Sequence, residues 1–181
     1  MTAPAQGFLP GCEPQRGDVS SDACFTPLDI VTGAIACLGG HIDTDPCWHP
    51  DSHVPDGPVR YDGRERGDGE AGEWTGSLWM NPPYSKPLPW ARRFAAHALT
   101  GSRCLALVKL DPTTESWRTL TEHAACVGLL SRRVKFEGDF AKGDAPSFCV
   151  ALVPRNISMS ALLTHLPMAD WWEKPDVAWG T

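Results

Sequence analysis

The stretch Ser77-Leu78-Trp79-Met80-Asn81-Pro82-Pro83-Tyr84 decides how this chain is interpreted. An apolar run that stops at a diproline is typical of a buried strand that ends in a fixed loop, because proline locks φ and removes a backbone donor. Each X-Pro step also holds the preceding residue in extended geometry. The stretch therefore predicts a loop whose carbonyl groups, amide side chain and aromatic ring point in set directions.

Such a loop suits the binding of a planar NH2 group. The amino nitrogen of adenine is a poor nucleophile because its lone pair is delocalised into the ring. Hydrogen bonds to the Asn81 side-chain oxygen and the Pro82 carbonyl would hold this nitrogen for attack on a methyl sulfonium, by positioning and electrostatics. Tyr84 would stack on the ring, a contact worth roughly 1–3 kcal/mol per base. The alternative interpretation is a Pro-rich turn after a strand.

The composition is that of an ordinary soluble protein. The 181 residues have a net charge of −6, and 42% of them are hydrophobic, which favours one domain with an adequate core. The charge argues against a histone-like binder but allows an enzyme with a local basic face. The seven irregularly spaced cysteines favour reduced thiols. With no apolar signal or membrane run in the sequence, we expect a cytoplasmic protein with no membrane association and no obligate protein partner.

The patterns around the opening stretch predict an α/β fold. Apolar spacing predicts helices over residues 26–38, 89–99, 115–125 and 159–166. Apolar runs predict strands at residues 41–42, 59–61, 74–80, 104–110, 127–130, 134–136 and 146–153. This order predicts a mostly parallel sheet with an antiparallel C-terminal end. Ligands bind beyond the carboxyl ends of such strands, so Asp43 and Asn81 are expected to face one crevice.

The chain is predicted to have three parts. Residues 1–21 lack periodicity and form a flexible N-terminal arm, residues 22–154 form the main domain, and residues 155–181 form a helix and a Trp-rich tail. Within the main domain, residues 46–73 are polar and predict a long loop, which is usually functional or disordered in a compact domain.

Four segments, in order, resemble the phage-type DNA N6-adenine methyltransferases, over roughly residues 24–153. The first three are Phe25-Thr26-Pro27, Ile42-Asp43-Thr44-Asp45-Pro46 and residues 79–86, which contain the Asn-Pro-Pro-Tyr motif. The fourth is residues 107–117, followed by Arg133-Val134-Lys135-Phe136 and Ala145-Pro146-Ser147. The glycine-rich loop of many other methyltransferases is absent, as is usual for this family.

The resemblance implies a Rossmann-like fold that binds S-adenosylmethionine and methylates N6 of a flipped or single-stranded adenine in DNA, in the cytoplasm of a bacterial host. The implied catalytic residues are Asn81, Pro82, Pro83 and Tyr84. The implied cofactor residues are Phe25, Thr26, Pro27, Asp43, Asp45 and Asn81, with Thr26 and Pro27 at the methionine end and Asp43 accepting hydrogen bonds. Asp62 and Asp68 are candidates for the ribose.

Three alternatives remain open at this point. Asn-Pro-Pro-Tyr also occurs in enzymes that methylate adenine in RNA or a protein glutamine amide, because the planar NH2 problem is the same. A non-catalytic module of the same fold could hold nucleic acid or a partner.

Cys47, His49 and His53 match no standard zinc spacing, so we expect no metal.

Overall fold

The computed structural model describes residues 25–63, 65–138, 149–153 and 157–173. The predicted arm at residues 1–21 and the end of the Trp-rich tail lie outside these residues. The helices are α1 (Leu28–Cys37), α2 (Pro87–Ala98), α3 (Glu115–His123) and α4 (Met159–His165). The strands are β1 (Thr44–Asp45), β2 (Val59–Arg60), β3 (Leu78–Met80), β4 (Cys104–Lys109), β5 (Cys126–Leu130), β6 (Cys149–Val153) and β7 (Ala169–Glu173).

Within the described residues, the strands form one seven-stranded sheet in the order β2-β1-β3-β4-β6-β5-β7. The first four run parallel to one another. β6 joins β4 in the antiparallel direction, and β5 and β7 extend the sheet with further antiparallel pairs. The prediction of an α/β fold, with a parallel part and an antiparallel C-terminal end, is confirmed.

The two faces of the sheet carry different helices. Trp79 and Leu105 point to the face that α1 and α4 cover, and both are almost fully buried. Met80 and Ala106 point to the face that α2 and α3 cover. This alternation follows from the period of two along a strand. The result is a three-layer arrangement with an apolar core on each side of the sheet.

The boundaries of α1 show how the sequence directs a helix. Gly39 and Gly40 have φ of 98° and 93°, and their N–H groups bond to the carbonyls of Ala36 and Ile35. This confirms the predicted end of the helix, since glycine adopts positive φ without a Cβ penalty. At the other end, Pro27 is the N-cap residue and the helix begins at Leu28, later in the chain than the predicted start.

Residues 134–136 are not a strand, contrary to prediction. Val134 and Phe136 are buried, and the next residue, Glu137, makes an isolated antiparallel bridge with Phe25. Alternating burial alone produced the strand-like pattern, because a loop that crosses the core also buries alternate side chains. Burial does not require a hydrogen-bonded ladder.

β7 was not predicted. Its side chains alternate between Trp171, which packs on the core, and Trp172, which is 63% exposed. The strand pairs with β5 along its whole length, so the described part of residues 155–181 belongs to the same sheet as the main domain. The predicted boundary at residue 154 does not divide the core.

No helix in the described residues is long and apolar enough to cross a membrane.

Candidate functional site at the carboxyl edge of the sheet

The Asn-Pro-Pro-Tyr loop lies where the sequence predicts it, directly after the buried strand β3. Asn81 is half-buried, and its side-chain oxygen accepts a hydrogen bond of 3.1 Å from the Tyr84 hydroxyl. The Tyr84 ring meets Phe136 edge-on, with 6.0 Å between the ring centroids. These contacts orient the amide and the ring from within the protein. The loop therefore presents its polar groups in a preorganised geometry.

The start of α1 reaches the same edge of the sheet. Because α1 ends at the turn that leads into β1, its first residues lie towards the carboxyl end of that strand. Thr26 is 4% exposed and Pro27 is buried. The Phe25 ring lies 4.7 Å from that of His49, a residue that follows β1.

Phe25 is also linked to the Asn-Pro-Pro-Tyr loop. Its N–H and C=O groups each form a 2.9 Å hydrogen bond with Glu137, and the neighbouring Phe136 contacts Tyr84. The predicted residues Phe25, Thr26 and Pro27 thus lie at the same edge as the Asn-Pro-Pro-Tyr loop.

Asp45 ends β1 at this edge. It is 3% exposed, and one of its carboxylate oxygens accepts the N–H of Cys47 at 2.9 Å. Burial raises the pKa of Asp45 to about 7, against the opposing effects of the Cys47 N–H and the Arg60 guanidinium. A buried carboxyl that titrates near neutrality at a sheet edge is a typical feature of a functional site.

Asp43 lies at the opposite end of β1, and this corrects the sequence interpretation. The predicted strand at residues 41–42 does not form, so Asp43 precedes the strand instead of ending it. Its carboxylate accepts the N–H of Ser77 at 2.8 Å and the Ser77 hydroxyl at 2.9 Å. Ser77 itself precedes β3, which places this cluster at the amino edge. Asp43 and Asn81 do not face one crevice.

The pKa of Asp43 also differs from that of Asp45. Partial burial acts to raise it, but the hydrogen bonds from Ser77 and the nearby His41 imidazole together hold the pKa below its usual value. The carboxylate is thus ionised and hydrogen-bonded to its own framework. Its geometry explains a structural role in joining β1 to β3 and gives no support to cofactor binding.

The long loop at residues 46–73 is packed, within the residues that the structure describes. The Arg66 guanidinium lies 4.3 Å from the Trp48 ring and pairs with Asp56 at 2.7 Å. Arg93 of α2 lies 4.5 Å from the Trp74 ring and donates to the carbonyls of residues 70 and 72. These cation–π contacts fix the loop at both ends.

Other polar residues of this loop serve its internal structure. The buried Arg60 guanidinium donates to four backbone carbonyls, those of residues 42, 43, 55 and 59. Asp62 and Asp68, the candidates for the ribose, accept the backbone N–H groups of Arg66 and Glu70. Both carboxylates thus support turns within the long loop.

The cysteine and histidine side chains form no metal cluster in the described residues. His53 lies 2.8 Å from the Glu137 carboxylate, and within the described residues the thiols of Cys37, Cys47, Cys104 and Cys126 form no disulfide. Burial raises the pKa of Cys37 to about 11 and that of Cys104 to about 12, and burial together with Asp45 raises that of Cys47 well above its usual value. Protonated, buried thiols are poor nucleophiles.

A pocket of about 190 Å³ opens beside the Asn-Pro-Pro-Tyr loop, on the face that α2 and α3 cover. Pro82 and Tyr84 of the loop line it together with residues that sequence analysis did not select. They come from the ends of β3 and β4, from the connection between β4 and α3, and from helices α2 and α3: Met80, Pro87, Ala91, Val108, Lys109, Asp111, Thr114, Ser116, Trp117 and Leu120. The resemblance included residues 107–117 but assigned them no role.

Comparison of the chain with models of protein families, with curated proteins and with solved structures found no match. The arguments for function therefore rest on the residues of the site.

Proposed function

We propose that the protein transfers the methyl group of S-adenosylmethionine to N6 of an adenine in DNA, on a Rossmann-like arrangement of the sheet. The observation that carries this proposal is the Asn-Pro-Pro-Tyr loop at the carboxyl end of the buried strand β3, with its amide oriented by Tyr84 and a pocket beside it. This edge is where ligands bind in open α/β sheets.

The loop has the groups that the reaction needs. The amide oxygen of Asn81, which the Tyr84 hydroxyl orients, is the type of acceptor that an N–H of the adenine amine needs. The Pro82 carbonyl accepts the other N–H. Asn81 and Pro82 would thereby orient the lone pair of the amine nitrogen for methyl transfer, and its surplus proton would leave to solvent.

The residues at the start of α1 and the end of β1 fit the cofactor. S-adenosylmethionine supplies an electrophilic methyl group when it is bound. Thr26 and Asp45 are buried polar residues at the carboxyl edge, and the Asp45 carboxylate can accept a hydrogen bond from an amino or hydroxyl group. Phe25 and Pro27 offer apolar surface beside them. Asp45 replaces Asp43 as the acidic residue in this proposal.

DNA would approach the same edge. The exposed Lys86 follows the catalytic loop and the exposed Lys109 ends β4, so both can meet phosphates despite the net charge of −6. Adenine N6 is paired in a duplex, so the base must leave the stack or come from a single strand. Stacking on Tyr84 would offset part of the cost of this extrusion.

The test is methyl transfer by the wild-type protein and by Asn81→Ala to DNA, RNA and protein acceptors. We expect the wild type to methylate adenine in DNA and the variant to lose roughly 10²–10³ in rate, the usual effect of removing one preorganised polar contact. Binding of S-adenosylhomocysteine, measured by calorimetry, should persist in the variant because Thr26 and Asp45 remain.

Other outcomes would redirect the proposal. Transfer to RNA or to a glutamine amide alone would assign the same chemistry to a different acceptor. An active Asn81→Ala protein would remove the catalytic role of the loop. A wild-type protein that binds neither S-adenosylmethionine nor its product would favour a binding module of the same fold.

A further inference from the structure

The pocket beside the catalytic loop has aromatic residues from two different elements. Tyr84 borders it from the loop after β3, and Trp117 borders it from α3. Met80, Val108 and Leu120, all buried, supply apolar surface between them. The pocket therefore offers apolar and aromatic walls to a flat ligand.

The volume of the pocket sets the size of this ligand. About 190 Å³ exceeds the cavity of roughly 150 Å³ that accommodates benzene in an engineered protein. It is smaller than the roughly 300–1,000 Å³ of pockets that bury drug-sized molecules, a class that includes S-adenosylmethionine. The volume therefore suits a single heterocyclic base better than the whole cofactor.

The polar residues of the pocket are arranged to hold Trp117 in place. The Thr114 hydroxyl accepts the backbone N–H of Trp117 at 3.2 Å and donates to the Asp111 carbonyl at 2.8 Å. The buried Ser116 hydroxyl donates to the Thr114 hydroxyl at 3.1 Å. This network caps α3 and fixes its first turn against the pocket. Trp117 is thus anchored by its backbone, independently of its side chain.

We propose that this pocket receives the ring of the target adenine between Tyr84 and Trp117, and that Trp117 is a second base-stacking residue. The inference rests on the proposed function and adds a residue from outside the Asn-Pro-Pro-Tyr motif. The pocket lies on the α2–α3 face, whereas Thr26 and Pro27 belong to the α1 side. The base and the cofactor then approach the Asn81 loop from opposite faces of the sheet.

The experiment measures two quantities for each protein: binding of 2′-deoxyadenosine by ligand-observed NMR, with deoxyribose as the blank, and the rate of DNA methylation. Trp117→Ala should weaken deoxyadenosine binding by roughly 5- to 150-fold, the range that one stacking contact supplies. Trp117→Phe keeps an aromatic face and should lose less. Trp172→Ala is the matched control, because Trp172 is 63% exposed on β7, away from the pocket.

The two readouts separate the two proposals. If the wild type methylates DNA and Trp117→Ala equals it in both readouts, the role of Trp117 is overturned and the proposed function stands. If the wild type methylates nothing, but its deoxyadenosine binding depends on Trp117, the base pocket stands and the methyl-transfer proposal falls. Absence of deoxyadenosine binding by the wild type overturns the base pocket.

The stacking role of Trp117 can be tested even if Trp117→Ala does not fold. Thermal melting identifies a variant that does not fold, and in that case Trp117→Leu replaces Trp117→Ala, because leucine retains apolar packing without an aromatic face. At least fivefold weaker deoxyadenosine binding by Trp117→Leu supports the proposal. Binding equal to that of the wild type contradicts it.

Discussion

The two ends of β1 carry the same residue type in opposite environments. At the amino end, the side chain of Asp43 is 31% exposed, and its carboxylate accepts two hydrogen bonds from Ser77. At the carboxyl end, Asp45 is 3% exposed and accepts the N–H of Cys47. The pKa of Asp43 is lowered, whereas burial raises that of Asp45 to about 7. The two residues are separated only by Thr44.

The difference favours the carboxyl end of β1 as the end that binds a ligand. Asp43 stabilises the junction of β1 and β3 as an ion, because Ser77 supplies the hydrogen bonds that water would otherwise supply. Asp45 is buried at a cost, since the charged form of a desolvated carboxyl is disfavoured. A buried carboxyl whose charged form is disfavoured is typical of a functional site.

The largest expected effect is a difference in the pH dependence of stability. Folding raises the pKa of Asp45. The protonated carboxyl therefore contributes its full stabilisation to the free energy of unfolding below about pH 4, and this stabilisation is lost as pH rises through about 7. Between pH 4 and pH 8, the free energy of unfolding of the wild type should therefore fall by about 4 kcal/mol relative to that of Asp45→Asn. Chemical denaturation across this range measures the change.

Asp43→Asn is the matched control for that experiment. The pKa of Asp43 is lowered on folding, so its stabilisation is present above the unfolded value and is lost on acidification below it. The stability gap between this variant and the wild type should therefore be widest at neutral pH. Parallel pH profiles for the two variants would contradict the distinction between the two ends.

A smaller effect separates structure from ligand binding at the amino end. Asp43→Ala should lower the free energy of unfolding by roughly 1.5–3 kcal/mol, the usual range for hydrogen bonds to a charged group. The increase in melting temperature that S-adenosylhomocysteine produces should be retained in this variant and reduced in Asp45→Ala. Thermal melts with and without the compound test both statements. A reduced shift in Asp43→Ala alone would return the cofactor role to Asp43.

The smallest expected effect concerns the carboxyl edge alone. Tyr84→Phe keeps the ring but removes the 3.1 Å hydrogen bond to Asn81. A neutral hydrogen bond contributes about 0.5–1.5 kcal/mol, so we expect a loss of roughly 2- to 10-fold in methylation rate. The chain has one other tyrosine, Tyr61, whose hydroxyl donates to the Glu73 carbonyl at 2.8 Å in the long loop. Tyr61→Phe should leave the rate unchanged, and equal losses in both variants would exclude a local role for the Tyr84 hydroxyl.

Strong local patterns predicted most of the elements. The helices at residues 89–99, 115–125 and 159–166 and the strands at 104–110 and 127–130 form within a few residues of the expected limits. Long amphipathic spacing and continuous apolar runs are reliable because they report burial directly. The short strand β1 was misplaced because its two residues, Thr44 and Asp45, are polar and yet buried, whereas the preceding Ile42 has the side chain expected of a strand.

The sequence by itself determined the position of the Asn-Pro-Pro-Tyr loop. A buried apolar strand followed by two prolines has few backbone conformations, so local sterics fix where Asn81 and Tyr84 lie. Tertiary structure alone decided which aspartate lies at the same edge of the sheet as that loop, because the two share a local sequence and differ only in the end of the strand they occupy. It also decided that Phe136 contacts the Tyr84 ring and that Trp117 lines the same pocket as Tyr84. Contacts between residues so distant along the chain depend on the packing of whole elements, which no local pattern encodes.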